Sequence, residues 1–139
     1  MVQLIIGAKG KGKTTYLLDL VGKNLDKTTG NCVYVDNSQK HMYDLNNKVR
    51  LVNSGEYSIK NKYEFMGFIC GIASSDNDLE YVYIDNLMVQ ASMGVEDLEG
   101  ALLRMDELGR LFDINFVVTA SALEEDITEA VKPFVFKAL

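Results

Sequence analysis

The chain has 139 residues, which is room for one domain with a single core; its 47% hydrophobic and 24% charged content excludes a disordered or fibrous protein. No apolar run reaches membrane-spanning length and no signal-peptide stretch precedes the first apolar segment, so a cytoplasmic protein without a membrane span is expected. A net charge of −6 argues against a large basic footprint for nucleic acid, while leaving room for a local basic groove.

Val2-Gln3-Leu4-Ile5-Ile6 reads as a buried strand, and Thr15 to Leu25 as a helix burying Leu17, Leu18, Val21 and Leu25. Between them lies Gly7-Ala8-Lys9-Gly10-Lys11-Gly12-Lys13-Thr14, of the form G-x-x-x-x-G-K-T. Its glycines permit left-handed or crowded backbone, so several N–H groups can turn inward around a polyphosphate. The helix that follows brings its unpaired N–H groups and positive dipole end to the same spot. Lys13 is placed to reach the β- and γ-phosphates, and the Thr14 hydroxyl to ligate Mg²⁺. The octet resembles the Walker A motif of P-loop NTPases, which implies nucleotide contacts from Gly7, Ala8, Lys9, Gly10, Lys11, Gly12, Lys13, Thr14 and Thr15.

A polar turn, Asp26 to Gly30, leads into a second strand, Cys32-Val33-Tyr34-Val35, ending at Asp36. Asn37 to Asn47 is polar and weakly periodic, a short helix or an ordered loop; its His41 has no evident partner carboxylate or nucleophile and reads as a surface residue. Val49-Arg50-Leu51-Val52 is a short strand stopped by Asn53-Ser54-Gly55. Asn61-Lys62-Tyr63-Glu64 has capping-box spacing ahead of a mostly buried helix to about Ala73. Cys32 and Cys70 read as small buried hydrophobes with no metal-ligand spacing.

Tyr81-Val82-Tyr83-Ile84-Asp85 is a buried strand closed by a carboxylate and resembles the Walker B motif, which places Asp85 beside the P-loop strand as a holder of Mg²⁺-bound water. The segment after it, Met88 to Gly94, is apolar: either an adaptable surface for a protein partner or second copy, or part of the core. Glu96 to Phe112 is the clearest helix, with Leu98, Ala101, Leu102, Met105, Leu108 and Phe112 on one face. Asn115 to Thr119 is the next strand; the family resemblance makes Thr119, or else Ser121, a sensor of the terminal phosphate. Ser121 to Val131 has a capping-box start for a short acidic helix, stopped by Pro133, and Phe134-Val135-Phe136 is a last strand.

Alternating strands and helices predict a three-layer α/β domain spanning residues 1–139. The outline resembles the RecA-like and thymidine-kinase-like branch of P-loop NTPases, implying a mostly parallel five-stranded sheet in the order 5-1-4-3-2 with helices on both faces. The cofactors implied are ATP and Mg²⁺. That branch uses a glutamate to orient the attacking water, whereas here Asn86 follows the Walker B carboxylate and Asp36 is the nearest acid past the second strand. The expected catalytic set is therefore Lys13, Asp36, Asn86 and Thr119, with Thr14 and Asp85 at the metal. This describes a weak or partner-dependent ATPase, with Arg50, Arg104 and Arg110 the only arginines available to act in trans. Two alternatives stand beside it: a non-hydrolysing nucleotide-dependent binding module, and a nucleoside-type kinase, whose zinc-binding lasso and arginine-rich lids have no counterpart in this sequence.

Overall fold

The computed structural model describes residues 1–139. Its strands are β1 (Val2–Ile6), β2 (Asn31–Asp36), β3 (Val49–Asn53), β4 (Leu79–Ile84), β5 (Asn115–Ala120) and β6 (Val135–Ala138). The helices are α1 (Lys13–Leu25), α2 (Lys62–Ser74), the single turn α3 (Leu87–Gln90) and α4 (Leu98–Phe112). The six strands form one all-parallel sheet in the order β3-β2-β4-β5-β1-β6. The expected five strands in the order 5-1-4-3-2 are thus corrected to six. Val49–Asn53 adds itself outside β2, and only the other five strands keep the neighbours that order would give them. A second correction follows: β4, which leads into Asp85, is not beside β1, because β5 lies between them.

Strand alternation divides the core in two. Ile5, Tyr34, Tyr83 and Val117 face α1 with Leu17 and Val21. Leu4, Ile6, Val33, Val35, Val82, Ile84, Phe116 and Val118 face the larger cluster that holds α2, α3 and α4. One step past the paired residues Val35 with Ile84, and Ile84 with Val118, the α1 face ends in a row of polar residues: Asn53, Asp36, Asp85 and Thr119. That row lies at the carboxyl ends of the strands, where open α/β sheets bind ligands.

Several local expectations change. Ser121 to Val131 is not a helix: the chain makes tight turns at Glu124–Asp126 and Lys132–Phe134 with an extended Ile127 between them. Like charges at Glu125 and Glu129, one helical turn apart, and the β-branched Ile127, Thr128 and Val131 oppose a helix there. Glu96 lies in a 3₁₀ turn, Val95–Asp97, and α4 itself starts at Leu98. Phe112 is 54% exposed because the helix stops at a left-handed Asp113 and the chain turns to bury Ile114 instead. Between residues 37 and 47 there is only a 3₁₀ turn, Met42–Asp44. No helix is long and apolar enough to cross a membrane.

At the start of α2, Asn61 Oδ1 accepts from the Glu64 amide at 2.9 Å, but Glu64 reaches back to the Lys60 amide at 2.7 Å rather than to Asn61, so the box is offset by one residue. Asn61→Ala should lower stability by about 1 kcal/mol in urea denaturation, through loss of this cap.

Candidate functional site

The loop from Gly7 to Gly12 is shaped by its glycines. Gly10 and Gly12 have φ of 84° and 89°, where a side chain would strain the backbone. At Gly7 the constraint is space, since a Cβ would lie 3.0 Å from the Leu139 carbonyl oxygen, held there by the Leu139 amide bonding Ile6 at 2.9 Å. Gly12 begins α1 with no side-chain cap and no acid in the first turn, which leaves the first N–H groups for a ligand. The cavity at that helix end, about 290 Å³, is lined by Lys9, Gly10, Gly12, Lys13, Thr14, Thr15, Asn86 and Ser121, without one hydrophobic residue.

Lys13 is only 6% exposed, and its ammonium donates to the Ala8 carbonyl at 3.0 Å. Burial pushes its pKa below the ordinary lysine range, and the Asp85 carboxylate pushes it partly back. Its sole acceptor is a neutral carbonyl, which an incoming phosphate oxygen would outcompete. The Thr14 hydroxyl donates to Asp85 Oδ2 at 2.7 Å, and the Thr119 hydroxyl donates to Oδ1 at 2.6 Å while accepting from the Asn86 amide at 2.8 Å. Thr119 is fully buried, holds Asp85 and Asn86 and does not line the cavity, whereas Ser121 does. Asn86 lies in left-handed backbone, φ 53°, which Asn tolerates.

A hard oxygen set, the Thr14 hydroxyl and the Asp85 carboxylate, stands at a polar cavity lined by Lys9 and Lys13, and such oxygens suit Mg²⁺. No group of three or more His, Cys, Asp or Glu residues makes a separate metal cage, so the ion would complete its shell with phosphate oxygens and water.

Asp36 sits beside Asp85 in the polar row and is 1% exposed. Its Oδ1 accepts from the Asn37 amide at 2.8 Å, while Oδ2 is buried without a partner. Burial raises its carboxyl pKa, opposed by the Asn37 bond; Asp85 raises it further, and His41 and Lys40 work against that. Asp36 is not part of the cavity wall. His41 does have a carboxylate partner, Asp44, at 2.9 Å on the surface.

Met88 to Gly94 packs largely into the domain. Ala91 and Met93 are buried, Gln90 is 5% exposed, and only Val89 and Ser92 stand out. Gln90 is what the sequence did not announce. Its amide nitrogen donates to the Val35 carbonyl at 3.0 Å and to the Asp85 carbonyl; its oxygen accepts from the Ser54 hydroxyl at 2.6 Å. The same hydroxyl lies 3.2 Å from the Asp36 carbonyl. One side chain thus ties together the backbone behind both carboxylates. A lone amide in an otherwise apolar run, Leu87 to Ala91, is the only signal that marked it. Gln90→Leu leaves several buried groups unpaired and should cost about 1–3 kcal/mol of stability for each that stays unsatisfied, read as a lower urea midpoint.

No family model matches the sequence. No curated protein matches it either. Solved structures do: 102 chains match, among them the structure of PCH-2 from C. elegans, with a TM-score of 0.55 and 18% identity over 98% of this chain and 34% of that one. The chain spans about a third of that protein's length. At this identity the likeness is one of fold alone, a layered α/β architecture.

Proposed function

We propose that the chain is a Mg-ATP-binding P-loop protein whose hydrolytic activity is slow or partner-dependent. The observation that carries the reading is the convergence of Lys13, Thr14 and Asp85 on an entirely polar cavity at the uncapped N-terminus of α1. The Gly10 and Gly12 turn and the first-turn amides would wrap the β- and γ-phosphates, with Lys13 leaving Ala8 to neutralise them. Thr14 would ligate Mg²⁺ and Asp85 would hold one of its waters; the ion would supply charge neutralisation between the phosphates. Asn86 and Ser121, in the cavity wall, would orient water, and Asp36, buried behind that wall, would take its proton through one bridging water.

The slow rate follows from what the cavity lacks. No arginine lines it, and Arg104 and Arg110 are paired along α4 with Glu107 at 2.7 Å and Asp106 at 2.9 Å. The transition-state charge is left to Lys13 and the metal, so turnover should rise with protein concentration or on adding a partner. Titration calorimetry with ATP and Mg²⁺, set beside phosphate release at increasing protein concentration, tests both parts. Absence of binding heat sinks the whole reading. A second reading, a nucleotide-dependent binding module, is favoured by the complete burial of Asp36 away from the cavity wall. Binding without phosphate release at any concentration selects it.

A further inference from the structure

The largest apolar cleft lies far from the phosphate loop, at the amino-terminal half of β2. It exists because the sheet is wider than its helical cover. β3 lies outside β2, and its residues on the α2 side, Arg50 and Val52, are opposite Val33 and Val35. Helix α2 packs Phe65, Ile69 and Ala73 into the core but turns Gly71 toward the uncovered strip, where an added Cβ would meet nothing within 4 Å. The cleft left between them holds about 560 Å³ and shares no residue with the nucleotide cavity. That volume is the size of a small-molecule site.

Its two sides differ in chemistry. Val33, Val52, Phe68 and Ile72 supply apolar wall, with the Tyr57 ring 5.2 Å from that of Phe68 at one end. Along the edge strand stand Lys48 and Arg50, exposed and in no ion pair, although the chain carries a net charge of −6. The one carboxylate in the lining, Asp76, spends its oxygens on the Asn31 amide group at 2.8 Å and the Asp78 backbone at 2.9 Å. We propose that this cleft binds an amphiphilic organic anion, its apolar body between α2 and β3 and its acidic head on Lys48 and Arg50. Apolar walls with a few convergent polar groups select such a ligand, and two unpaired cations fix the sign of its head. The site is independent of nucleotide binding.

Decanoate and anilinonaphthalene sulfonate are the probes. Titrated into the ¹⁵N-labelled chain, decanoate should shift amides of residues 31–33, 48–52, 57 and 68–79, and leave Gly7 to Thr15 unmoved. The sulfonate should bind one to one and should not be displaced by ATP with Mg²⁺. The pair Lys48→Glu and Arg50→Glu should weaken both probes by about tenfold or more. Gly71→Leu fills the cleft from within a helix, where Leu is the better helix former, so binding should vanish while the melting temperature holds. Unchanged binding in Gly71→Leu, or shifts centred on the phosphate loop, overturns the proposal. So does sedimentation of the wild type as a dimer that binds neither probe and dissociates on Gly71→Leu, for then a second copy covers the cleft.

Discussion

Lys13→Met is expected to weaken Mg-ATP binding by roughly thirtyfold or more in titration calorimetry without lowering the melting temperature. In the free protein this ammonium is almost fully buried, with one neutral acceptor, Ala8. Removing it costs the fold one hydrogen bond, about 1 kcal/mol, and relieves a buried charge. Methionine keeps most of the stem that packs under the loop. In the bound state the same ammonium would face phosphate oxygens in a desolvated site, where deleting one partner of such a pair costs about 2–5 kcal/mol. The exposed Lys11, outside the cavity lining, is the control: Lys11→Met should change affinity by no more than about fivefold. The direction of the Lys13 shift adds a pH dependence. Affinity should fall on the alkaline side below the ordinary lysine pKa of about 10.4, because the folded chain gives up that proton early. For stability the sign is the reverse. The cost of the buried charge is full below the folded pKa and fades as pH rises through it, so any stability advantage of Lys13→Met should shrink in alkali. Wild-type affinity in Lys13→Met would mean that this loop does not hold the phosphates.

What the sequence made legible is what local pattern determines. Val2–Ile6, Tyr81–Ile84 and Asn115–Thr119 are apolar runs bounded by turn residues, and each is a strand. The left-handed turns at Gly10 and Gly12 were readable because the octet's glycines recur at fixed offsets between a strand and a helix. The errors lie where tertiary neighbours decide. Val49 to Val52 was readable as a strand, but its place outside β2 depends on which sheet edge was free. Thr119 and Ser121 differ by where the strand stops. Two-residue alternation puts Thr119 on the same face as Val117, against Asp85, while Ser121 lies past the end of β5 and reaches the cavity. The capping-box spacing at Ser121 described a helix start, yet the side chains after it could not sustain a helix. Gln90 and Ser54 meet across 36 positions of sequence, a separation at which no periodicity speaks.

Asp36→Asn should make the protein more stable and less active. A buried carboxylate oxygen with no partner costs about 1–3 kcal/mol, and here it stands in the same row as a second carboxylate, Asp85. The amide keeps the acceptor for the Asn37 backbone and removes the charge from a buried oxygen that has no partner. At roughly 3 °C per kcal/mol for a chain of this size, the melting temperature should rise by several degrees at neutral pH. The pH dependence carries the sign. Because the folded pKa of Asp36 is raised, the folded chain binds more protons than the unfolded one between the two pKa values, and wild-type stability falls as pH climbs through that window. The advantage of Asp36→Asn should therefore grow as pH climbs through that window and vanish near and below pH 4, where the carboxyl is neutral in both states. Mg-ATP affinity should hold or increase, since a negative charge near the phosphates is gone. Turnover should drop by about a hundredfold or more, the typical contribution of a positioned base. A stabilised variant that still binds but no longer turns over would explain why the chain tolerates an unpaired buried acid: its instability is the condition for a basic oxygen behind the cavity wall. A stabilised variant with undiminished turnover would assign the water to Asn86 and Ser121 alone.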